Sequence, residues 1–301
     1  MTMLLLDLEL HLQSFEKLLS DFGLPVPTPE QLARVKNITS TDPVVIREEL
    51  DYDRDELMAN VENTVPTFTD EQANIYNTIM EAVKESKPVQ VFIDARGGCG
   101  KTYLLNAILG AVRSLEPDGC VALAMATTGI AANLLNMGRT FHSRMKAPLN
   151  ATPETTLNIS AQSPLAKLVK MAKILLIDEA TMLDRYMLEA LDRTLQDIMG
   201  KPNLPFGGKV LLFAGDFRQC LVVIKGASRA GIVKCCINRS PLWKHFKIMK
   251  LTLNMRVQAT GDPVLEAFDN WTLGIGNGEE GQIEVPEDMV TKISQNSRQP
   301  A

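Results

Sequence analysis

A chain of 301 residues with 45% hydrophobic and 22% charged side chains, 19 Gly and 16 Pro, has the make-up of a soluble globular protein of one large or two ordinary domains. Collagen-like, low-complexity and wholly disordered chains are excluded, and no apolar run approaches the ~18 residues of a membrane span. The net charge of −5 hides a segregation: residues 1–64 carry 13 acidic and 5 basic groups, residues 65–301 carry 23 and 26.

The apolar start Met3-Leu4-Leu5-Leu6 meets Asp7 and Glu9 at once and follows no basic residue, so it predicts neither a signal peptide nor a membrane anchor. Leu5, Leu8, Leu12, Phe15 and Leu19 fall at helical spacing, and Thr28-Pro29-Glu30-Gln31 reads as a capping box with Pro at the first helical position. Residues 1–64 therefore read as a helical appendage with no chemistry of its own. The cysteines (Cys99, Cys120, Cys220, Cys235, Cys236) are odd in number and lack C-x-x-C spacing, which fits a reducing compartment better than a disulfide framework or a zinc site. His11, His142 and His245 are too scattered to read as a metal cluster.

Beyond residue 65, short aliphatic runs alternate with helical patterns. Residues 89–94, 120–126, 173–178 and 209–214 are strand-like; 102–115, 129–135 and 183–199 are helix-like, the last with the stripe Met187, Leu188, Leu191, Leu195, Ile198. This alternation predicts an α/β fold, a parallel sheet covered by helices on both faces.

The segment Val91-Phe92-Ile93-Asp94-Ala95-Arg96-Gly97-Gly98-Cys99-Gly100-Lys101-Thr102 is a strand, a glycine-rich loop and a helix start. It matches G-x-x-x-x-G-K-[ST] with Ala95 in the first glycine position. Backbone N–H groups cradle phosphate oxygens only where side chains stay clear, hence Gly97, Gly98 and Gly100 around Cys99. Lys101 would neutralise the β- and γ-phosphates, and Thr102 would place its hydroxyl on Mg²⁺. The buried run Ile174-Leu175-Leu176-Ile177 ends in Asp178-Glu179, at the rim where open α/β sheets bind ligands. Asp178 would hold Mg²⁺ through water and Glu179 would polarise the attacking water. The guanine-reading N-K-x-D does not occur, so ATP is favoured over GTP.

From Phe217 to Gly261 there is no Asp or Glu, while Arg218, Lys225, Arg229, Lys234, Arg239, Lys244, Lys247, Lys250 and Arg256 supply nine positive charges. That stretch is either a solvated positive face or the footprint of an anionic partner.

Five ordered motifs carry a family resemblance. They are residues 94–102; Ala126-Thr127-Thr128-Gly129-Ile130-Ala131-Ala132 with Gly138-Arg139-Thr140-Phe141-His142-Ser143; Ile177-Asp178-Glu179-Ala180-Thr181-Met182; residues 207–219, ending Gly215-Asp216-Phe217-Arg218-Gln219; and Leu251-Thr252-Leu253-Asn254-Met255-Arg256. Together they resemble the helicase motifs of the PIF (petite integration frequency) family of superfamily 1. Residues 52–57, Arg239-Ser240-Pro241-Leu242-Trp243 and residues 268–278 resemble the helicase part of Helitron transposon proteins.

The resemblance implies a P-loop NTPase with RecA-like lobes, coupling ATP hydrolysis with Mg²⁺ to stepping along single-stranded DNA or DNA junctions, from the five-prime toward the three-prime end. Gln72 resembles the glutamine that reads adenine, although Thr69-x-x-Gln72 is also a capping box. Gln219 resembles the residue that senses the γ-phosphate and attacking water, and Arg256 an arginine that approaches the γ-phosphate. Thr127, Thr128, Gly129, Thr140 and His142 resemble the segment that tracks the DNA backbone; for His142 a bond within its own turn is the other reading. The family implies repair, recombination, telomere maintenance or Helitron transposition, and a nuclear or mitochondrial location in a eukaryote, otherwise an intracellular one. Cys99 stands where the family has threonine, which raises an expectation of oxidation-sensitive nucleotide binding. Val222 stands where it has proline after Leu221.

The expected division is an appendage at 1–64, an ATPase lobe at 65–250 and the start of a shortened second lobe at 251–301. Only 45 residues follow Arg256, where a second RecA-like lobe needs on the order of a hundred. Two readings follow: an ATP-dependent helicase whose second lobe is missing or supplied by a partner chain, or a nucleotide- and DNA-binding remnant without turnover.

Overall fold

The computed structural model describes residues 19–26, 43–115, 120–219, 222–224 and 226–278. The stripe Leu5, Leu8, Leu12 and Phe15, the capping box at Thr28 to Gln31, His11, Cys220, Leu221, Lys225 and the tail from residue 279 lie outside them; Leu19 is buried in a short 3-10 turn, Leu19–Phe22. The chain divides into two compact units, Met1–Asn254 and Met255–Ala301.

Among the described residues, the first unit is built on six parallel strands: β1 (Gln90–Ala95), β2 (Val121–Ala126), β3 (Arg139–Thr140), β4 (Ala172–Asp178), β5 (Val210–Gly215) and β6 (Phe246–Leu251), in the order β3-β2-β4-β5-β1-β6. The four central strands are apolar and buried over most of their length because both faces are covered, so period-two alternation has no solvent side to mark. Their bounds fall within a residue or two of those expected from the aliphatic runs. Strand β6 escapes that pattern: Phe246, Met249 and Leu251 are buried while Lys247, Ile248 and Lys250 are not, the mixture of an edge strand guarded by lysines.

Alternate residues of each strand feed two cores. Val91, Ile93 and Ala95 join Leu104, Leu105 and Ile108 of α4 (Lys101–Arg113) and Ile75, Ile79 and Val83 of α3 (Asp70–Lys84). Phe92 points the other way, into a core with Met187, Leu188, Leu191 and Leu195 of α8 (Arg185–Met199). Each such fully buried Leu stabilises the fold by roughly 1.5–3 kcal/mol. Helix α8 starts on Asp184, whose carboxylate accepts from the Tyr186 N–H, and stops on Gly200 at φ 63°, as the stripe of apolar residues predicts.

Among the described residues, the helices α1 (Val44–Leu50) and α2 (Arg54–Thr64) precede α3. Gly110 of α4 lets α2 approach closely, since a Cβ there would stand 3.1 Å from Val61 Cγ2. Helix α1 is tied to the lobe through charge. Glu49 pairs with Arg144, both side chains 2% exposed, and Glu48 pairs with Arg139 at 2.8 Å near the surface. Short helices α5 (Gly129–Leu134) and α6 (Phe141–Arg144) follow β2 and β3; α7 (Pro164–Met171) precedes β4 and α9 (Arg229–Cys235) lies between β5 and β6.

The second unit contains α10 (Met255–Thr260) and α11 (Pro263–Asn277), the latter opened by Asp262, whose carboxylate accepts from the Val264 N–H, and closed by Gly278 at φ 74°. Among the described residues, no helix is long and apolar enough to cross a membrane.

Candidate nucleotide and nucleic-acid site

Parallel strands aim their carboxyl ends at one rim, and β1, β4 and β5 deliver the motif residues there. The loop from β1 to α4 turns at Gly98 (φ 85°) and Gly100 (φ 74°), backbone conformations that side chains resist. Gly98 is closely packed: a Cβ would fall 2.4 Å from Asn254 Oδ1. Gly97 is exposed, and a Cβ there would meet nothing within 4 Å. The protein itself thus needs a bare Gly98, whereas Gly97 leaves open the face that the N–H groups would offer to phosphates. Cys99 is buried at 2% exposure, which corrects the expectation of easy oxidation: a thiol shielded from solvent is not readily attacked by peroxide.

Lys101 stands between the two carboxylates at the end of β4. Its Nζ donates to Asp178 Oδ1 at 2.7 Å and to Glu179 Oε1 at 2.5 Å. Burial of the ammonium opposes its charge, but Asp178 and then Glu179 more than offset this, so its pKa is raised. One cation against two carboxylates leaves a net negative charge at the start of α4, where Thr102 follows Lys101. Hard oxygen donors of that kind suit Mg²⁺, and an ammonium at the end of a glycine loop suits phosphates. The residues present fit a magnesium nucleotide.

Glu179 has φ 52°, the left-handed region, rare for a residue with a side chain and often found at functional positions. It is held there from a neighbouring strand: the Thr127 hydroxyl donates to the Glu179 carbonyl at 3.0 Å, and the Thr127 N–H donates to the Asp178 carbonyl at 3.2 Å. Thr127 therefore spends its hydroxyl proton inside the protein. Thr128 and Thr140 cap α5 and α6, their hydroxyls accepting from the Ala131 and Ser143 N–H groups. Capping uses a lone pair and leaves each O–H as a donor. Gly129 is exposed with open space at its Cβ position, and the His142 ring meets Phe141 edge to face at 5.9 Å.

Gln72 reaches the loop from α3. The capping box with Thr69 is complete, and its Nε2 donates to the Cys99 carbonyl at 3.5 Å, so capping and contact with the loop coexist. Gln219 donates through Nε2 to Asp216 Oδ2 at 3.0 Å. Arg256 belongs to the second unit, at the start of α10.

Sequence reasoning missed the network that joins these parts. Arg218 donates to Asp216 Oδ1 at 2.6 Å and to Asp94 Oδ1 at 2.9 Å, tying the end of β5 to the end of β1. Burial opposes the Arg218 charge, but Asp216 and Asp94 raise its pKa overall. Thr252 is anchored as well: its N–H and hydroxyl donate to Glu71 at 2.7 and 2.6 Å, and Arg96 donates to its carbonyl at 3.2 Å. The signal lay in charges flanking each motif, where no spacing rule pairs them.

The chain matches the family model described as PIF1-like helicase over residues 67–285. It is 28% identical over 208 residues to the ATP-dependent DNA helicase PIF1 of Trypanosoma brucei brucei, a match spanning 68% of this chain and 19% of that protein. To the ATP-dependent DNA helicase PIF1 of Homo sapiens it is 32% identical over 177 residues, covering 55% and 24% respectively. Its fold aligns with the crystal structure of Bacteroides Pif1 bound to ssDNA at a TM-score of 0.56 and 28% identity, covering 70% of this chain and 46% of that one. The matched region thus spans about a fifth to a quarter of the length of these curated relatives.

Proposed function

The chain belongs to the PIF1-like helicase family, and on that premise we propose that it acts as the ATP-hydrolysing part of a DNA helicase that steps along single-stranded DNA or DNA junctions in the five-prime to three-prime direction. The observation that carries this reading is Lys101 held between Asp178 and Glu179 at the mouth of the glycine loop.

When bound, Mg²⁺ supplies charge neutralisation at the phosphates, with Thr102 and Asp178 as its holders. Gly97, Gly98, Cys99 and Gly100 present backbone N–H groups, and Gln72 lies at the loop for the base. Lys101 exchanges its carboxylate partners for phosphate oxygens, which frees Glu179 to orient water and accept its proton. Gln219, which donates to Asp216, is the proposed sensor of the γ-phosphate and attacking water. Arg256 is the proposed source of further positive charge as the bond breaks. Thr128, Gly129, Thr140 and His142 offer hydroxyl, backbone and ring donors to the DNA backbone, with Thr127 between them and Glu179.

This reading divides the chain into an appendage at 1–64, a RecA-like ATPase lobe at 65–250 and the start of a second lobe at 251–301, completed by a partner chain where none follows. Repair, recombination, telomere maintenance and Helitron transposition are the processes proposed, in the nucleus or mitochondrion of a eukaryotic cell. The test is ATP-dependent displacement of a labelled strand from duplexes with a five-prime or a three-prime tail. Displacement from the five-prime-tailed substrate is expected. Displacement from the other alone would reverse the polarity, and nucleotide and DNA binding without turnover would leave a binding module in place of the motor.

A further inference from the structure

The acid-free stretch of the chain does not spread its charge evenly. Arg229 and Lys234 of α9 and Arg239 in the following turn converge with Arg185, at the start of α8, on one open recess of about 770 Å³ that also exposes Ala230 and Val233. No acidic side chain lines it. Among the described residues none of the four cations makes a salt bridge. Arg185 stacks over the Tyr186 ring at 4.6 Å and donates to its hydroxyl, while its buried Nε has no partner. Asp184 and Glu189 act on Arg185 through charge without a salt bridge; Glu189 also accepts the Ser240 hydroxyl at 2.9 Å, and Asp184 caps α8.

Among the described residues Arg229, Lys234 and Arg239 have no acidic side chain within salt-bridge distance, and of the four cations Arg185 is the one stabilised from within, by Tyr186 and Glu189. The sheet separates the recess from the nucleotide loop: Met187 and Ile237, which root α8 and the turn before Arg239, share the core face with Phe141, whereas Cys99 and helix α4 belong to the opposite face. The charges therefore serve an anion other than the nucleotide held at Gly97 to Thr102. Cations drawn from separate segments suit several phosphates in a row better than one, and Arg185 is offered flat by its stacking on Tyr186.

We propose that this recess is a second nucleic-acid contact, taking the phosphodiester backbone of a strand beyond the segment gripped at Thr127 to His142. The proposal rests on the helicase reading and adds to it a site for the other arm of a fork. A non-specific grip of this kind would hold the unwound or duplex strand without reading its sequence.

The experiment measures binding of the full chain to labelled forked DNA and to a short single strand over a range of salt. The variants are Arg229→Gln/Lys234→Gln/Arg239→Gln, whose three residues are exposed; Thr140→Val/His142→Ala; and Lys84→Gln/Lys87→Gln/Lys170→Gln, which removes equal charge elsewhere. The recess variant should bind forked DNA about tenfold or more weakly, with a salt slope lower by about two to three. The short strand should lose much less, and the charge control should behave as wild type. Equal binding by the recess variant, or an equal loss in the charge control, would overturn the proposal. If the Thr140/His142 variant alone loses affinity, the helicase reading stands and the recess fails; if wild type binds no DNA, both fail. Tight binding of inorganic phosphate alone, lost in the recess variant while DNA affinity is unchanged, would assign the recess to a free anion instead.

Discussion

Replacing Gly97 and Gly98 by alanine, one at a time, separates what the glycine loop does for the fold from what it does for phosphate. At Gly97 the added methyl meets nothing within 4 Å and the backbone is not left-handed. Folding stability should therefore be unchanged or raised by up to ~1 kcal/mol through the stiffer unfolded chain. At Gly98, φ is 85° and the methyl would sit 2.4 Å from Asn254 Oδ1. The left-handed backbone costs about 1–2 kcal/mol there, and Asn254 must also move. On the functional side the order reverses. A methyl on the open face at Gly97 would displace one charge-assisted phosphate contact, worth ~1.5–3 kcal/mol, or about ten- to a hundredfold in kcat/KM for ATP. Urea unfolding and phosphate-release kinetics on both variants measure the two halves. Full activity in Gly97→Ala, or a loss of stability matching that of Gly98→Ala, would refute the assignment of that face to phosphate.

Thr127→Val removes the hydroxyl that holds the Glu179 carbonyl at 3.0 Å; kcat should fall about five- to tenfold with nucleotide affinity kept, and Thr127→Ser should restore it. An equal loss in the serine variant would point to the methyl group and packing instead. Glu49→Gln leaves the Arg144 guanidinium buried without its counter-charge and should cost ~3–5 kcal/mol in chemical unfolding. Glu48→Gln, which breaks only the exposed pair with Arg139, should cost about 1 kcal/mol or less. The Lys209 ammonium donates to the Lys170 and Ala172 carbonyls at 2.7 Å, yet burial, with Lys173 and Lys201 nearby, lowers its pKa from 10.5 to about 8. Between those values the unfolded chain binds more protons than the folded one, so stability should climb as pH rises from about 8 toward 10.5, by at most ~3 kcal/mol. Below pH 8 both states are protonated and the burial penalty stays constant. Urea midpoints at pH 7.5 and 9.5 should show that rise in wild type and a smaller one in Lys209→Met.

What the sequence exposed and what it hid divide along a physical line. The glycine loop, the strand ending in Asp178-Glu179 and the central strands are local patterns, each set by a few adjacent residues whose chemistry allows little else. Strand β6 was invisible because an edge strand keeps lysines on its open side and breaks the apolar run. Helix α2 escaped for the opposite reason: none of its residues is buried, so it carries no stripe. The ties that shape the site join residues far apart in the chain. Thr127 meets Glu179 across 52 positions, Arg218 meets Asp94 across 124 and Arg144 meets Glu49 across 95. Only folding selects those pairs from the many charges available. Gln72 shows both kinds at once, a capping box legible in four residues and a contact with Cys99 that was not.

The most direct measurement of the central claim is steady-state phosphate release from ATP by the full chain, with and without single-stranded DNA, beside Lys101→Ala and Glu179→Gln. The account predicts release that DNA stimulates, loss of both binding and turnover in Lys101→Ala, and binding without turnover in Glu179→Gln. Release that survives either substitution, or a wild-type chain that binds no nucleotide at all, would contradict it.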